Sequence, residues 1–192
     1  MAEALEDAVE SKDKKVALII AILALFLALA EAGGKNAQHR STEQNIEASD
    51  LFNFYQAKKI RQSIVQGNID ILQANRAGVA DPKSGEAMDK QIETWKATVE
   101  NFDHDKKNPD DSLEKINERA RAAQEGRELS NHRLERFELA SGLLQIAIVL
   151  ASAAIITGIA ALMWLSVGLG VVGVVLMGLG YLAPTALPFL LG

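Results

Sequence analysis

From Leu139 to Gly192 the chain runs for 54 residues without one charged side chain. A soluble domain scatters charge over its surface. A bilayer excludes it, at a cost of about 2.5–3.5 kcal/mol for a Lys, Arg or Asp at the centre of an inserting helix. All 20 Lys and Arg residues precede this stretch, a segregation that the whole-chain averages of 48% apolar and 23% charged residues hide. The pattern predicts a membrane protein.

A span needs about 20 mostly apolar residues. Val16–Ala30 is shorter, and reaches that length only if Ala32–Gly34 sit at the interface and the Lys15 stem snorkels. The second span is expected at about Leu139–Leu162 and the third at about Val167–Ala183. Met163, Trp164, Leu165 and Ser166 form the turn between them, with Trp164 at the headgroup level. Pro184 and Pro188 end the last helix. The expected fold class is an all-α membrane protein. It has three transmembrane helices, one N-terminal and two in a C-terminal hairpin, with a helical, coiled-coil-like soluble region between them. By segment, residues 1–15 are a charged tail, 16–34 the first transmembrane helix, 35–138 the soluble region and 139–192 the hairpin.

Lys12, Lys14 and Lys15 before an apolar run, with Ala28-Leu29-Ala30 after it, also fit a cleaved signal peptide. Five acids in the tail, Glu3, Glu6, Asp7, Glu10 and Asp13, oppose that reading and favour a retained anchor. Orientation follows Lys and Arg near the spans. Lys35, Arg40, Arg119, Arg121, Arg127, Arg133 and Arg136 flank them on the soluble side, against three lysines on the tail side. This sum favours a cytoplasmic soluble region, although the first span alone points the other way.

Within 35–138 the spacing predicts three helices, at about 42–77, 86–102 and 111–138. In the first, Ile46, Phe54, Ala57, Ile60, Ile64, Ile71, Val65, Ile69 and Leu72 make a broad apolar face. In the second, Met88, Ile92, Trp95, Val99 and Phe102 repeat at 4, 3, 4, 3, the coiled-coil spacing, with Trp95 read as core. In the third, Asp111 is the expected N-cap, with Glu114 three residues on. Its seam, Leu113, Ile116, Ala120, Ala123 and Arg127, continues at the same spacing into the second span. One unbroken helix from Ser112 to Leu162 is therefore expected. Gly33-Gly34 predicts a weak link before the first soluble helix. Met88, Ile92, Trp95, Val99, Leu113, Ile116, Ala120, Ala123 and Arg127 are the candidate oligomer seam. Three helices with few large apolar residues bury little, so a homo-oligomer is expected.

The chemical inventory is thin. The chain has no Cys, which excludes thiolate metal sites and cysteine nucleophiles, and its net charge of −5 offers no field for nucleic acid. Gly168-Leu169-Gly170-Val171-Val172-Gly173 has the dinucleotide-binding spacing, but it lies in an uncharged span with no following acid, which fits helix packing in lipid. His39, His104 and His132 are scattered, and Asp103-His104-Asp105 reads as a solvated loop. Lys58, Lys59 and Arg61 read as a solvated face. Gln145, Ser152 and Thr157 are the notable polar residues of the second span, and Glu31 lies at a span end. No catalytic, cofactor or metal site is expected, and no enzymatic activity.

The run Ala48-Ser49-Asp50-Leu51-Phe52-Asn53-Phe54-Tyr55-Gln56-Ala57-Lys58-Lys59-Ile60-Arg61-Gln62 resembles the signature of bacterial membrane proteins grouped as domain of unknown function 4337. The layout is similar too: an N-terminal span, a helical soluble region and a C-terminal pair of spans. The resemblance implies a bacterial source and a multi-pass protein of the inner membrane, with no assigned activity. It nominates Asn53, Tyr55, Gln56 and Lys58. Tyr55, Lys58 and Gln62 share one helix face, which makes these five a candidate contact surface. The expected function is a membrane-embedded, homo-oligomeric scaffold that projects a helical bundle. The alternative is a pore or channel subunit lined by Gln145, Ser152 and Thr157. The expected partners are the lipid bilayer, further copies of the chain and an unidentified protein.

Overall fold

The computed structural model describes the backbone of residues 2–105 and 107–186, and the side chains of residues 14–105 and 107–186. Among the described residues the fold is all helical. Helix α1 is Ala2–Arg76, α2 Pro82–Asp103, α3 Leu113–Thr157 and α4 Ala160–Leu182, with a short 3-10 turn at Pro109–Asp111. Three of these carry segments long and apolar enough to cross a membrane: Lys14–Arg76 of α1, Leu113–Thr157 and Ala160–Leu182. The chain divides into two compact units. An apolar unit comprises Met1–Thr42 and Arg127–Gly192, and a polar unit comprises Glu43–Gly126.

The apolar unit is built on small residues. Its core holds Leu23, Ala30, Ala37, Phe137, Ala140, Leu144, Ala147 and Met177. In lipid, burial of apolar area gives helices no reason to associate, so close backbone approach and hydrogen bonds must do so. Both occur. A Cβ on Gly173 of α4 would stand 2.9 Å from Leu144 Cγ and 3.2 Å from the Ala140 carbonyl oxygen of α3. The fully buried Ser166 hydroxyl donates to the Ala147 carbonyl at 2.7 Å. Phe137 meets Tyr181 edge to face, with ring centroids 4.7 Å apart.

Two expectations for this unit are corrected. Helix α1 does not restart near residue 42, because Gly33-Gly34 does not break it. Gly33 is buried, and a Cβ there would lie 2.7 Å from the Phe137 ring, so the missing side chain is what admits the aromatic. Packing outweighs a propensity penalty of about 1 kcal/mol per glycine. The turn expected at Met163–Ser166 lies inside α4. The chain instead leaves α3 after Thr157, through Gly158 at φ 70° and Ile159. That left-handed backbone favours glycine, and it ends the helix five residues before the expected Leu162. The helix is unbroken at Glu138.

The polar unit is held by capped ends and branched aliphatic side chains. Ile69, Ile92, Leu113, Ile116, Ala120 and Ala123 are buried. Burying a side chain of Ile or Leu size contributes about 1.5–3 kcal/mol. Helix α2 starts where Pro82 supplies a ready φ and the Asp81 carboxylate accepts from the Ser84 amide at 3.0 Å and its hydroxyl at 2.6 Å. The hydroxyl and amide of Ser84 hold the Asp81 carboxyl below its ordinary range. The α2–α3 connection turns on Asp105, whose carboxylate accepts from the Lys107 and Asn108 amides at 2.9 and 3.0 Å. Those amides, that of Asn108 first, lower its pKa. At the start of α3 the expected cap, Asp111, is replaced by Ser112. Asp111 closes the 3-10 turn, and the Ser112 hydroxyl accepts from the Lys115 amide at 3.3 Å.

Candidate functional site

The polar unit's α1 segment carries the candidate contact surface, and the structure divides its five residues between two faces. Gln62 is turned inward and only 6% exposed. Its amide donates to the Val99 carbonyl at 3.2 Å and to Asp103 Oδ2 at 2.7 Å, and its Oε1 accepts from Lys59 Nζ at 2.7 Å. A buried amide must find such partners, since an unpaired one costs about 1–3 kcal/mol. Gln62 thus ties α1 to the end of α2. Lys58 lies over the Phe54 ring at 5.4 Å and donates to the Asp111 carbonyl, so it ties α1 to the 3-10 turn.

Asn53 and Gln56 are exposed, and Tyr55 is half-buried. Tyr55, Gln56, Lys59, Ile60, Ser63 and Ile64 line an open groove of about 510 Å3. Gln56, Lys59, Ile60 and Ser63 stand at i, i+3, i+4 and i+7, so they share one side of the helix.

The groove belongs to a longer feature. The broad apolar face of α1 splits lengthwise. Ile69 is buried, with Val65 and Leu72 half-buried beside it. On the other side Ile46, Phe54, Ile60, Ile64 and Ile71 are exposed, Ile60 at 61% and Ile71 at 63%. Asn53, Ala57, Ile60, Ile64, Gly67 and Ile71 follow one another at 4, 3, 4, 3, 4. This is the spacing of a coiled-coil seam, and all of these residues but the half-buried Gly67 are exposed. Periodicity alone reveals a broad face; which half is covered depends on where α2 and α3 lie, and no local signal carries that.

The candidate oligomer seam on α2 and α3 is placed differently. Ile92, Leu113, Ile116, Ala120 and Ala123 are buried, and Met88, Trp95 and Val99 are half-buried. One copy of the polar unit already covers them, which leaves little of that seam for a second copy. Arg127, half-buried, falls in the apolar unit. Ser152 and Thr157 turn their hydroxyls back onto the Ile148 and Ala153 carbonyls of their own helix, at 2.9 and 2.8 Å, and Gln145 is exposed. His104 lies 3.5 Å from Glu114, both exposed.

The model of one protein family, described as Domain of unknown function (DUF4337), matches residues 12–183. No curated protein matches the chain, and no solved structure matches it.

Proposed function

This chain belongs to the family described as Domain of unknown function (DUF4337), and on that footing we propose that it is a non-enzymatic membrane scaffold that assembles with copies of itself through the α1 seam. In this reading the three apolar segments span a bacterial inner membrane, with α3 and α4 as a hairpin. The polar unit is a helical bundle in the cytoplasm, available to an unidentified protein partner.

The observation that carries the reading is the uncovered isoleucine seam of the polar unit. In water, each large apolar side chain left exposed forgoes roughly 1.5–3 kcal/mol of burial. A second copy suits the seam better than an unlike helix. Copies inserted in one membrane share an orientation, so their seams meet parallel and in register. Asn53 then faces Asn53, and an amide carries both donor and acceptor for its twin. Gln56 and Arg61, five residues apart on opposite flanks, face each other across the pair. Asp50 ends the seam, because two carboxylates would meet there.

The chain has no native Cys, so single cysteines report proximity cleanly. Ile60→Cys in native membranes under mild oxidant is expected to give a disulfide-linked dimer, while Thr98→Cys on the exposed side of α2 gives little. Monomer alone from Ile60→Cys, or equal cross-linking from both, overturns the proposal.

A further inference from the structure

The apolar unit contains a cavity of about 360 Å3 walled by three helices. Asn36 and Arg40 of α1, Arg133 of α3 and Tyr181 of α4 supply its polar groups, with Gly33 and Gly180 at its wall. Arg40 and Arg133 both line this space, and a guanidinium keeps its charge at any physiological pH. No Asp or Glu lines the cavity among the described residues. Arg133 Nε is buried and has no hydrogen-bond partner. A buried donor left unpaired is costly; that nitrogen is itself closed to the cavity, and what the wall offers is two cationic side chains with no carboxylate beside them. That combination suits an anion with several acceptor oxygens, such as a phosphate.

A second groove, of about 380 Å3, lies between α1 and α4, two of those three helices. Ile19, Ile22, Leu23 and Phe26 of α1 face Val167, Gly170, Val171, Val174 and Val175 of α4, and every lining side chain is apolar. The two sites share one face. Along α1, Ile19, Phe26, Gly33 and Arg40 are each seven residues apart, as are Val167, Val174 and Tyr181 along α4, and seven residues bring a helix back to nearly the same side. From Ile22 to Asn36, fourteen residues at about 1.5 Å each make roughly 21 Å. Half of a bilayer with its headgroups is also about 20–22 Å. A molecule with its anion at the arginines therefore reaches the apolar groove with a chain one leaflet long.

We propose that this α1–α4 face binds one anionic phospholipid, its phosphate held by Arg40 and Arg133 and one acyl chain lying between Ile19–Phe26 and Val167–Val175. Asn36 donates to the headgroup, and Tyr181 offers it a hydroxyl. Basic recesses between membrane helices recognise anionic lipids by this chemistry. The site is complete within one copy of the chain, so it stands whether or not the protein assembles.

The test uses full-length protein, delipidated in mild detergent, titrated with dioleoyl phosphatidylglycerol, dioleoyl phosphatidylcholine or sodium phosphate. Bound lipid is counted by native mass spectrometry, and the melting midpoint is followed alongside. Phosphatidylglycerol is expected to bind roughly tenfold or more tightly than phosphatidylcholine, and Arg40→Gln/Arg133→Gln to remove that preference. Val171→Trp, which fills the apolar groove from its exposed side, is expected to weaken phosphatidylglycerol by a similar factor. It carries the test alone if the double variant loses its helical circular dichroism. Equal affinity for the two lipids, undiminished phosphatidylglycerol binding by a folded double variant or by Val171→Trp, or equal protection by free phosphate at the same concentration overturns the proposal.

Discussion

The apolar and polar units expose large apolar side chains to similar degrees, and the same exposure means different things in each. Leu18, Leu25 and Val171 of the apolar unit are 62%, 60% and 58% exposed; Ile60, Ile64 and Ile71 of the polar unit are 61%, 58% and 63% exposed. Against lipid tails such side chains need no cover, and association depends on small residues and buried hydrogen bonds. The apolar unit has both, in Gly33, Gly173 and the Ser166–Ala147 bond. The polar unit relies on capped helix starts, a buried amide and a core with Ile69 and Ile116 at its centre. In such surroundings an uncovered row of isoleucines is the feature on which the proposed assembly rests. Composition sets how a surface is read, and exposure alone does not.

The largest effect that would sharpen this contrast lies in the polar core. Ile116 is fully buried, and Ile116→Ala is expected to cost about 2–5 kcal/mol in chemical denaturation of the polar unit. Replacing exposed Ile60 by Ala should leave that transition within about 0.5 kcal/mol in the monomer.

Glycine gives the next test. Gly173→Leu drives a side chain into Leu144 and the Ala140 carbonyl, and about 1–3 kcal/mol of stability should be lost on melting in detergent. Gly67 has nothing within 4 Å of its Cβ position and sits in the exposed seam. Gly67→Leu should stabilise α1 by up to about 1 kcal/mol and tighten self-association. Equal penalties at both positions would break the distinction between the units.

Gln62→Leu keeps the volume but removes the amide from which Asp103 and the Val99 carbonyl accept, and is expected to cost about 1–3 kcal/mol in the same denaturation.

The smallest effect concerns pH. Ser84 holds the Asp81 carboxyl below its ordinary range, so the stability it lends is present above the ordinary carboxylate pKa and is lost as pH falls through the lowered value. Asp81→Ala should lower the melting midpoint by a few degrees or less at neutral pH. The variant should also lose less than the wild type on acidification below about pH 4. A parallel acid response would contradict this role for the cap.

Much of the helical layout was legible because uncharged length and helical periodicity are local signals. Neither Gly33 nor Ser166 announced itself that way. A glycine pair reads as a weak point until the Phe137 ring is seen beside it, and Ser166 reads as a turn residue until it meets Ala147 from a distant part of the chain. The true turn, Gly158, was hidden among apolar residues whose spacing continued smoothly past it. The candidate contact surface was half legible. Its helix and its polar residues followed from sequence, whereas the inward turn of Gln62 and Lys58 depends on α2 and on the 3-10 turn.

The molecular mass of the full-length protein in mild detergent, measured by light scattering for the wild type and for Ile60→Glu/Ile64→Glu, tests the seam most directly. The wild type should be an oligomer, and the variant a monomer with unchanged helical circular dichroism. A monomeric wild type, or a variant that keeps the wild-type mass, would contradict assembly through α1.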